Sequence, residues 1–206
     1  MGRFRAGLRA AARRFGVSES GFSAVEFAFV GGPFLLFLGC MFETGVMLFT
    51  EYTLQAAVQK ASRAIRTGNA QDTKTSPTVF KNSICANGVA RFLMDCSKVT
   101  VYVAPANTFA ALKSSTPNSL DIGLKADNSG VKNSSFSCGD KSKPMAIIAT
   151  YDYNFAFPFM DKVLGNFTLN TKDKDNKPIS INYRRLRGIS VFRNEPFATS
   201  NSCSAT

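Results

Sequence analysis

The chain has 206 residues, with 25 Lys and Arg against 14 Asp and Glu for a formal net charge of +11, 5 Cys, no His and no Trp. The missing His removes the usual general base and the commonest neutral metal ligand. No Gly-rich phosphate loop follows a predicted strand and no Ser or Cys nucleophile sits in a local catalytic signature, so composition points away from an enzyme and from a resident metal or other cofactor.

The chain opens on a basic arm, residues 1–21, in which Arg3, Arg5, Arg9, Arg13 and Arg14 face only Glu19. Phe22 to Thr50 then reads FSAVEFAFVGGPFLLFLGCMFETGVMLFT, with no charged residue between Glu26 and Glu43. As one helix rising about 1.5 Å per residue, Phe22 to Phe49 covers roughly 42 Å, enough to cross an apolar bilayer core of about 30 Å with some tilt. The stretch 22–50 is therefore predicted to be a transmembrane helix. Its Arg flank holds the first residues in the cytoplasm and sends the remainder outward. A secretory signal peptide shares the charge pattern but has a shorter apolar region and a small-x-small cleavage site. Pro33 lacks an N–H, and with Gly31 and Gly32 it is expected to loosen or kink the helix, although membrane helices also tolerate Gly and Pro.

Glu26 separates this span from a plain anchor, because a carboxylate inside a membrane helix is costly and usually has a partner. Gly21 lies five residues before it, in Gly21-Phe22-Ser23-Ala24-Val25-Glu26-Phe27. This stretch resembles the TadE family of tight-adherence (Flp-type) pilus assembly pseudopilins, through residues 23–28, Pro33, Gly39, Glu43 and Gly45. The likeness runs over about residues 18 to 68, departing at Phe27, where some members carry Tyr, and at the Gly31-Gly32 pair.

The resemblance implies that residues 1–21 are a prepilin leader and that a prepilin peptidase cuts the Gly21-Phe22 bond on the cytoplasmic side. Removal of the leader leaves a formal charge of +7 before the new terminus is counted. Glu26 would then pair with the free ammonium of a neighbouring subunit and set the stagger between helices; the bland reading is an interfacial Glu solvated by water and headgroups. Other implied partners are pilin-like subunits, the pilus assembly platform and the membrane itself. The implied location is the bacterial inner membrane, single pass, with the C-terminal domain periplasmic or, in a pilus, outside the cell. An outer domain much larger than a helix argues for a minor subunit.

Two other readings compete. Phe37-Leu38-Gly39-Cys40 loosely resembles a lipoprotein box, but Leu38 is large and Met41 to Phe49 stays apolar where a polar tether belongs. A single-span anchored periplasmic binding protein is the other.

Residues 51–206 are expected to form an α+β domain. The membrane helix continues as an amphipathic one, with Leu54, Ala57, Val58, Ala61, Ala64 and Ile65 inward and Gln55, Gln59, Lys60, Ser62, Arg63 and Arg66 outward. Gly68 is its stop and residues 68–76 a polar loop. Ser76-Pro77 opens a second helical stretch carrying Phe80, Ile84, Phe92 and Leu93. Strands are predicted at 99–103 and 145–157, separated by a Ser-, Asn- and Lys-rich surface insertion, 104–144. A hairpin follows between Asn166 and Asn182, its second strand extending toward Phe197. The expected architecture is a long N-terminal helix packed on a small antiparallel sheet.

Of the five Cys, Cys40 lies in the apolar span. Four exported Cys suggest two disulfides rather than zinc, which favours tighter ligand pairs and His. On one unbroken helix Cys85 and Cys96 would stand about 16 Å apart, beyond bonding reach, but Asn87-Gly88 supplies a turn. The expected pairs are Cys85 with Cys96 and Cys138 with Cys203. Asp173 and Asp175 make a poor calcium loop and read as a solvated turn. The basic excess is scattered apart from Arg184, Arg185 and Arg187, which read as a solvated strand edge, and no nucleic-acid partner is expected of a tethered outer domain.

Overall fold

A computed structural model describes residues 20–86, 88–118, 121–124, 131–132, 135–157, 159–172, 177–197 and 203. The basic arm, Asn87, and the hairpin tip with Asp173 and Asp175 lie outside the described residues. The chain divides into two units, Met1–Thr44 and Gly45–Thr206.

Helix α1 spans Ser20–Arg66 and holds Pro33 in its interior. In the first unit its large apolar side chains, from Val25 through Phe42, are mostly exposed. In the second unit the pattern narrows to a stripe: Leu54, Val58, Ala61 and Ile65 are buried at the i, i+4, i+7, i+11 spacing of one helical face. Ala57 and Ala64 pack beside them. Ser62, expected outside, is buried because its hydroxyl is already satisfied by the Gln59 carbonyl at 2.7 Å. Arg63 and Arg66 close the last turn, where cations suit the helix dipole.

The chain then turns at Gly68 with φ +83°, and an added Cβ there would meet Phe197 Cγ at 2.7 Å. Glycine is thus required both for its left-handed backbone and for its lack of a side chain. The expected loop 68–76 holds a short helix, α2 (Asn69–Asp72), whose Gln71 is fully buried. Helix α3 (Pro77–Cys85) starts as predicted from Ser76, which accepts a hydrogen bond from the Val79 N–H. The helical stretch breaks after Cys85, with Gly88 at φ +59°, and resumes as α4 (Ala90–Leu93). That break brings Cys85 and Cys96 into a disulfide with Cα atoms 5.5 Å apart. It also leaves Phe92 turned outward, 88% exposed, while Phe80 and Ile84 of the same predicted stretch are buried.

Strand β1 (Val99–Pro105) follows, then α5 (Phe109–Ser115), the short strands β2 (Gly123–Leu124), β3 (Val131–Lys132) and β4 (Ser135–Phe136), and the long central strand β5 (Pro144–Tyr153). A short helix α6 (Met160–Leu164) leads into β6 (Phe167–Lys172) and β7 (Pro178–Arg193). The main sheet runs β4-β1-β5-β7-β6, and β2 pairs with β3 separately. The sheet is mixed rather than purely antiparallel, because β4 pairs parallel to β1 while the other neighbours are antiparallel.

Stretch 104–144 is more than a surface insertion. It completes β1, supplies β4, and carries the buried Leu112 and Ile122. Ile122 packs with Tyr102 and Ile148 on one face of the sheet, and its carbonyl accepts from Thr150 Oγ1 at 2.9 Å. On the other face Met145, Ile147, Ala149 and Tyr151 join the helix residues in the main core. Coverage of both faces explains why β5 reads as a nearly continuous apolar run instead of an alternation. A second disulfide, Cys138 to Cys203 with Cα atoms 5.6 Å apart, ties the tail to this layer.

Candidate assembly helix and its seat on the sheet

Gly21 and Phe22 fall inside α1. Glu26 is exposed, bracketed by the exposed Val25, Phe27, Phe29 and Val30. Gly31, Gly32 and Pro33 are all helical, and the ring of Phe27 lies over Gly31, where an added Cβ would stand 3.4 Å from it. Cys40 is a free, partly buried thiol. Exposed apolar side chains continue into the second unit as Val46, Leu48, Phe49 and Tyr52, beyond which the exposed positions turn polar with Gln59, Lys60 and Arg63.

The three threonine hydroxyls of this zone are satisfied within the helix. Thr44, Thr50 and Thr53 each donate to the carbonyl four residues back, at 2.8, 2.7 and 2.8 Å, which spares a lipid environment any unpaired hydroxyl. A helix apolar around its circumference has two outlets, lipid or other apolar helices. It is the one helix among the described residues long and apolar enough to cross a membrane.

Above Tyr52 the helix is fastened to β7. The Gln55 amide lies against Ile189 and makes both backbone bonds a neighbouring strand would make: its Nε2 donates to the Ile189 carbonyl at 2.9 Å and its Oε1 accepts from the Ile189 N–H at 2.8 Å. This matters because β6 pairs only with the first part of β7, through Tyr183, leaving the remainder as a sheet edge. Gly188 admits the helix closely; a Cβ there would stand 2.9 Å from Val58 Cγ2 and 3.1 Å from the Leu54 carbonyl oxygen. Higher up, the Glu195 N–H donates to the Arg66 carbonyl at 2.9 Å and the two side chains form an ion pair at 3.1 Å. Asn194 is buried and donates to the carbonyls of Cys138 and Asp140, both at 3.0 Å. The run Arg193 to Phe197 is thus the clasp between helix end, tail and disulfide layer.

The Arg run is also different from its expectation. Arg185 is buried and pairs twice with buried Asp152, Nε to Oδ1 at 2.6 Å and Nη2 to Oδ2 at 2.9 Å. Its guanidinium lies 3.6 Å from the centre of the Phe167 ring. Asp152 and Arg185 are direct cross-strand partners, so the register of β5 on β7 builds the pair. Arg184 donates to the Leu164 carbonyl at 3.2 Å, and only Arg187 of the three is exposed.

Elsewhere, the Ser97 N–H donates to Asp95 at 2.9 Å, and this bond, with the Ser97 hydroxyl and nearby Lys98 and Lys81, holds the Asp95 carboxyl below its usual range. Burial pushes the Tyr151 hydroxyl up. Among the described residues no three His, Cys, Asp or Glu side chains cluster to hold a metal ion.

Residues 21–63 match the family described as TadE-like protein. This stretch of the chain is similar to TadE-like proteins. No curated protein and no solved structure matches the chain. The TadE-like match takes in Glu26, Pro33, Glu43, the exposed apolar zone, and the Gln55 and Val58 seat, and it stops short of the sheet. It associates the helix with Tad pilus systems, and the single apolar helix is consistent with a single-pass membrane anchor.

Proposed function

We propose that this TadE-like chain is a minor pilin-like subunit, a pseudopilin, of a Tad/Flp-type pilus or secretion filament. The observation that carries the reading is the coincidence of the TadE-like match with a helix whose large apolar side chains from Val25 to Tyr52, buried Met47 apart, are mostly exposed. In this reading a prepilin peptidase cuts between Gly21 and Phe22, and the new ammonium at Phe22 pairs with Glu26 of an adjacent subunit in a low-dielectric bundle, where unpaired charges are expensive. Gly31, Gly32 and Pro33 let the helix loosen as it leaves the bilayer for the filament. The arm keeps the N-terminus cytoplasmic, the disulfide-bonded domain lies in the periplasm, and the assembly platform handles the helix.

The test is the N-terminus and intact mass of the protein taken from membranes of its native host, beside a Gly21→Ala variant. A wild-type chain beginning at Phe22 with the variant uncut is the expected result. A chain retaining its Arg arm overturns the reading in favour of a plain anchored protein, and one beginning at an acylated Cys40 makes it a lipoprotein.

A further inference from the structure

Strand β7 follows the outer part of α1 in the opposite direction. Glu195 meets Arg66, Ile189 meets Gln55, and Arg187 shares a recess of about 430 Å³ with Leu48, Glu51 and Tyr52. Three residues further on, roughly 10 Å at the rise of a strand, comes Arg184. Arg184 is tied to the carbonyl of Leu164, the last residue of α6. Helix α6 therefore sits at the end of the outer domain from which the apolar turns Val46 to Tyr52 emerge.

This short helix presents apolar groups on two sides. Met160 is buried and Leu164 packs against the core, whereas Phe159 and Val163, also four residues apart and so on one face, are 66% and 75% exposed. Phe159 holds φ at +71°, a left-handed backbone that bulky residues rarely adopt and that persists only where the surroundings impose it. Phe157, Lys162 and Arg187 are exposed at the same end, opposed by Asp161 and Glu51.

We propose that α6 is a second membrane contact: Phe159 and Val163 enter the headgroup and upper acyl region of the bilayer that holds α1, while Lys162, Arg184 and Arg187 face anionic lipid headgroups. Three observations favour lipid as the occupant. The patch lies at the end of the domain from which the exposed apolar turns of the helix emerge, its aromatic and cationic side chains are those suited to a membrane interface, and the basic groups outnumber the acidic ones beside them. The domain is then seated on the bilayer before assembly and must release this foot when the subunit leaves.

The inference rests on α1 being a membrane anchor, and the test separates the two. Because the chain contains no Trp, each of Leu48→Trp, Phe159→Trp and Phe109→Trp, the last exposed beyond the opposite, Pro105 end of β1, gives a single reporter in the full chain. The variants are reconstituted in nanodiscs of acyl-brominated phosphatidylcholine and phosphatidylglycerol. Blue-shifted, strongly quenched emission is expected at positions 48 and 159, and water-like, unquenched emission at position 109. Val163→Asp added to each of the Leu48→Trp and Phe159→Trp chains should abolish the quenching at 159 and leave that at 48 unmoved. Quenching at 48 with none at 159 overturns the second contact and leaves the anchor standing. No quenching at 48 overturns the anchor and the inference together.

Discussion

Gly188→Ala tests the seat of the helix on the sheet by its sign. The position has ordinary strand backbone, so in open space Ala would be accepted and would stabilise by about 0.4–1 kcal/mol through the unfolded chain. Here the new methyl would lie 2.9 Å from Val58 Cγ2, 3.1 Å from the Leu54 carbonyl and 3.3 Å from Gln55 Cα, and two of those three neighbours are backbone that cannot rotate away. Overpacking of this kind costs about 1–3 kcal/mol. The balance is a destabilisation of about 1–2 kcal/mol, which for a chain of this size lowers Tm by about 2–4 °C for each kcal/mol. Circular dichroism melts of the full chain in detergent read it directly. Val58→Ala removes one of the three contacts, so the double variant should lose less than the two single losses added together. A Gly188→Ala chain as stable as wild type, or more so, would refute the close approach of α1 to β7.

The buried pair gives an asymmetric result: Asp152→Ala or Arg185→Ala alone strands a charge and should cost about 3–5 kcal/mol, whereas Asp152→Leu with Arg185→Met should come out far less damaging. Urea titrations of the four chains measure this, and a mild loss in either single variant would count against the pair. The disulfides should rank by the loops they close, 65 and 11 residues, so replacing Cys138 and Cys203 by Ala costs about 4 kcal/mol and replacing Cys85 and Cys96 about 3 kcal/mol in the chain-entropy account. Equal losses would argue against that account. Asp95 has a depressed carboxyl pKa, so its support of the turn at Cys96 to Lys98 is complete above the unfolded carboxylate value of about 4 and disappears as pH falls through the lower folded value. Asp95→Asn should therefore be less stable than wild type at neutral pH and converge with it as pH falls through that acid window, and a deficit that persisted unchanged below the window would contradict the assignment.

Where local chemistry decides, the residues could be read directly. The amphipathic stripe from Leu54 to Ile65, the Ser76-Pro77 start, the glycine stop at Gly68 and the β-branched runs of β1, β5 and β7 all fold as their periods and caps indicate. Where a partner distant in sequence decides, they could not. Arg185 reads as one of three solvated arginines until the register sets it opposite Asp152. Gln71 reads as a loop residue, yet its buried amide bonds the carbonyls of Ile65 and Cys138 at 3.2 and 3.1 Å. Helices α5 and α6 are too short for a periodic signal, and β4 is two residues whose strand character comes wholly from β1. Gln55 carried a legible clue, since an amide beside an apolar stripe is suited to satisfy a sheet edge, but the identity of Ile189 was not in the pattern.

The fastenings of helix to sheet constrain how such a subunit can move. They occur at Gln55, at Val58 against Gly188, at Arg66 and at Gly68 against Phe197, a spread of 13 residues or about 20 Å of helix. One hydrogen bond contributes only about 1 kcal/mol, so no single point would hold the helix against an axial pull. Distributed along two edges of the contact, however, the points oppose both sliding and rotation, because any displacement must break the amide pair, drive Val58 into β7 and open the Arg66 to Glu195 link at once. Thr50 and Thr53 are bonded within the helix, and there the seat continues only through buried Met47 and Thr50, while Val46, Leu48, Phe49 and Tyr52 are exposed. Above Tyr52 the exposed positions of the helix are mostly polar and it is held by these fastenings, whereas from Tyr52 back to Val46 one side stays buried and the other is apolar and exposed.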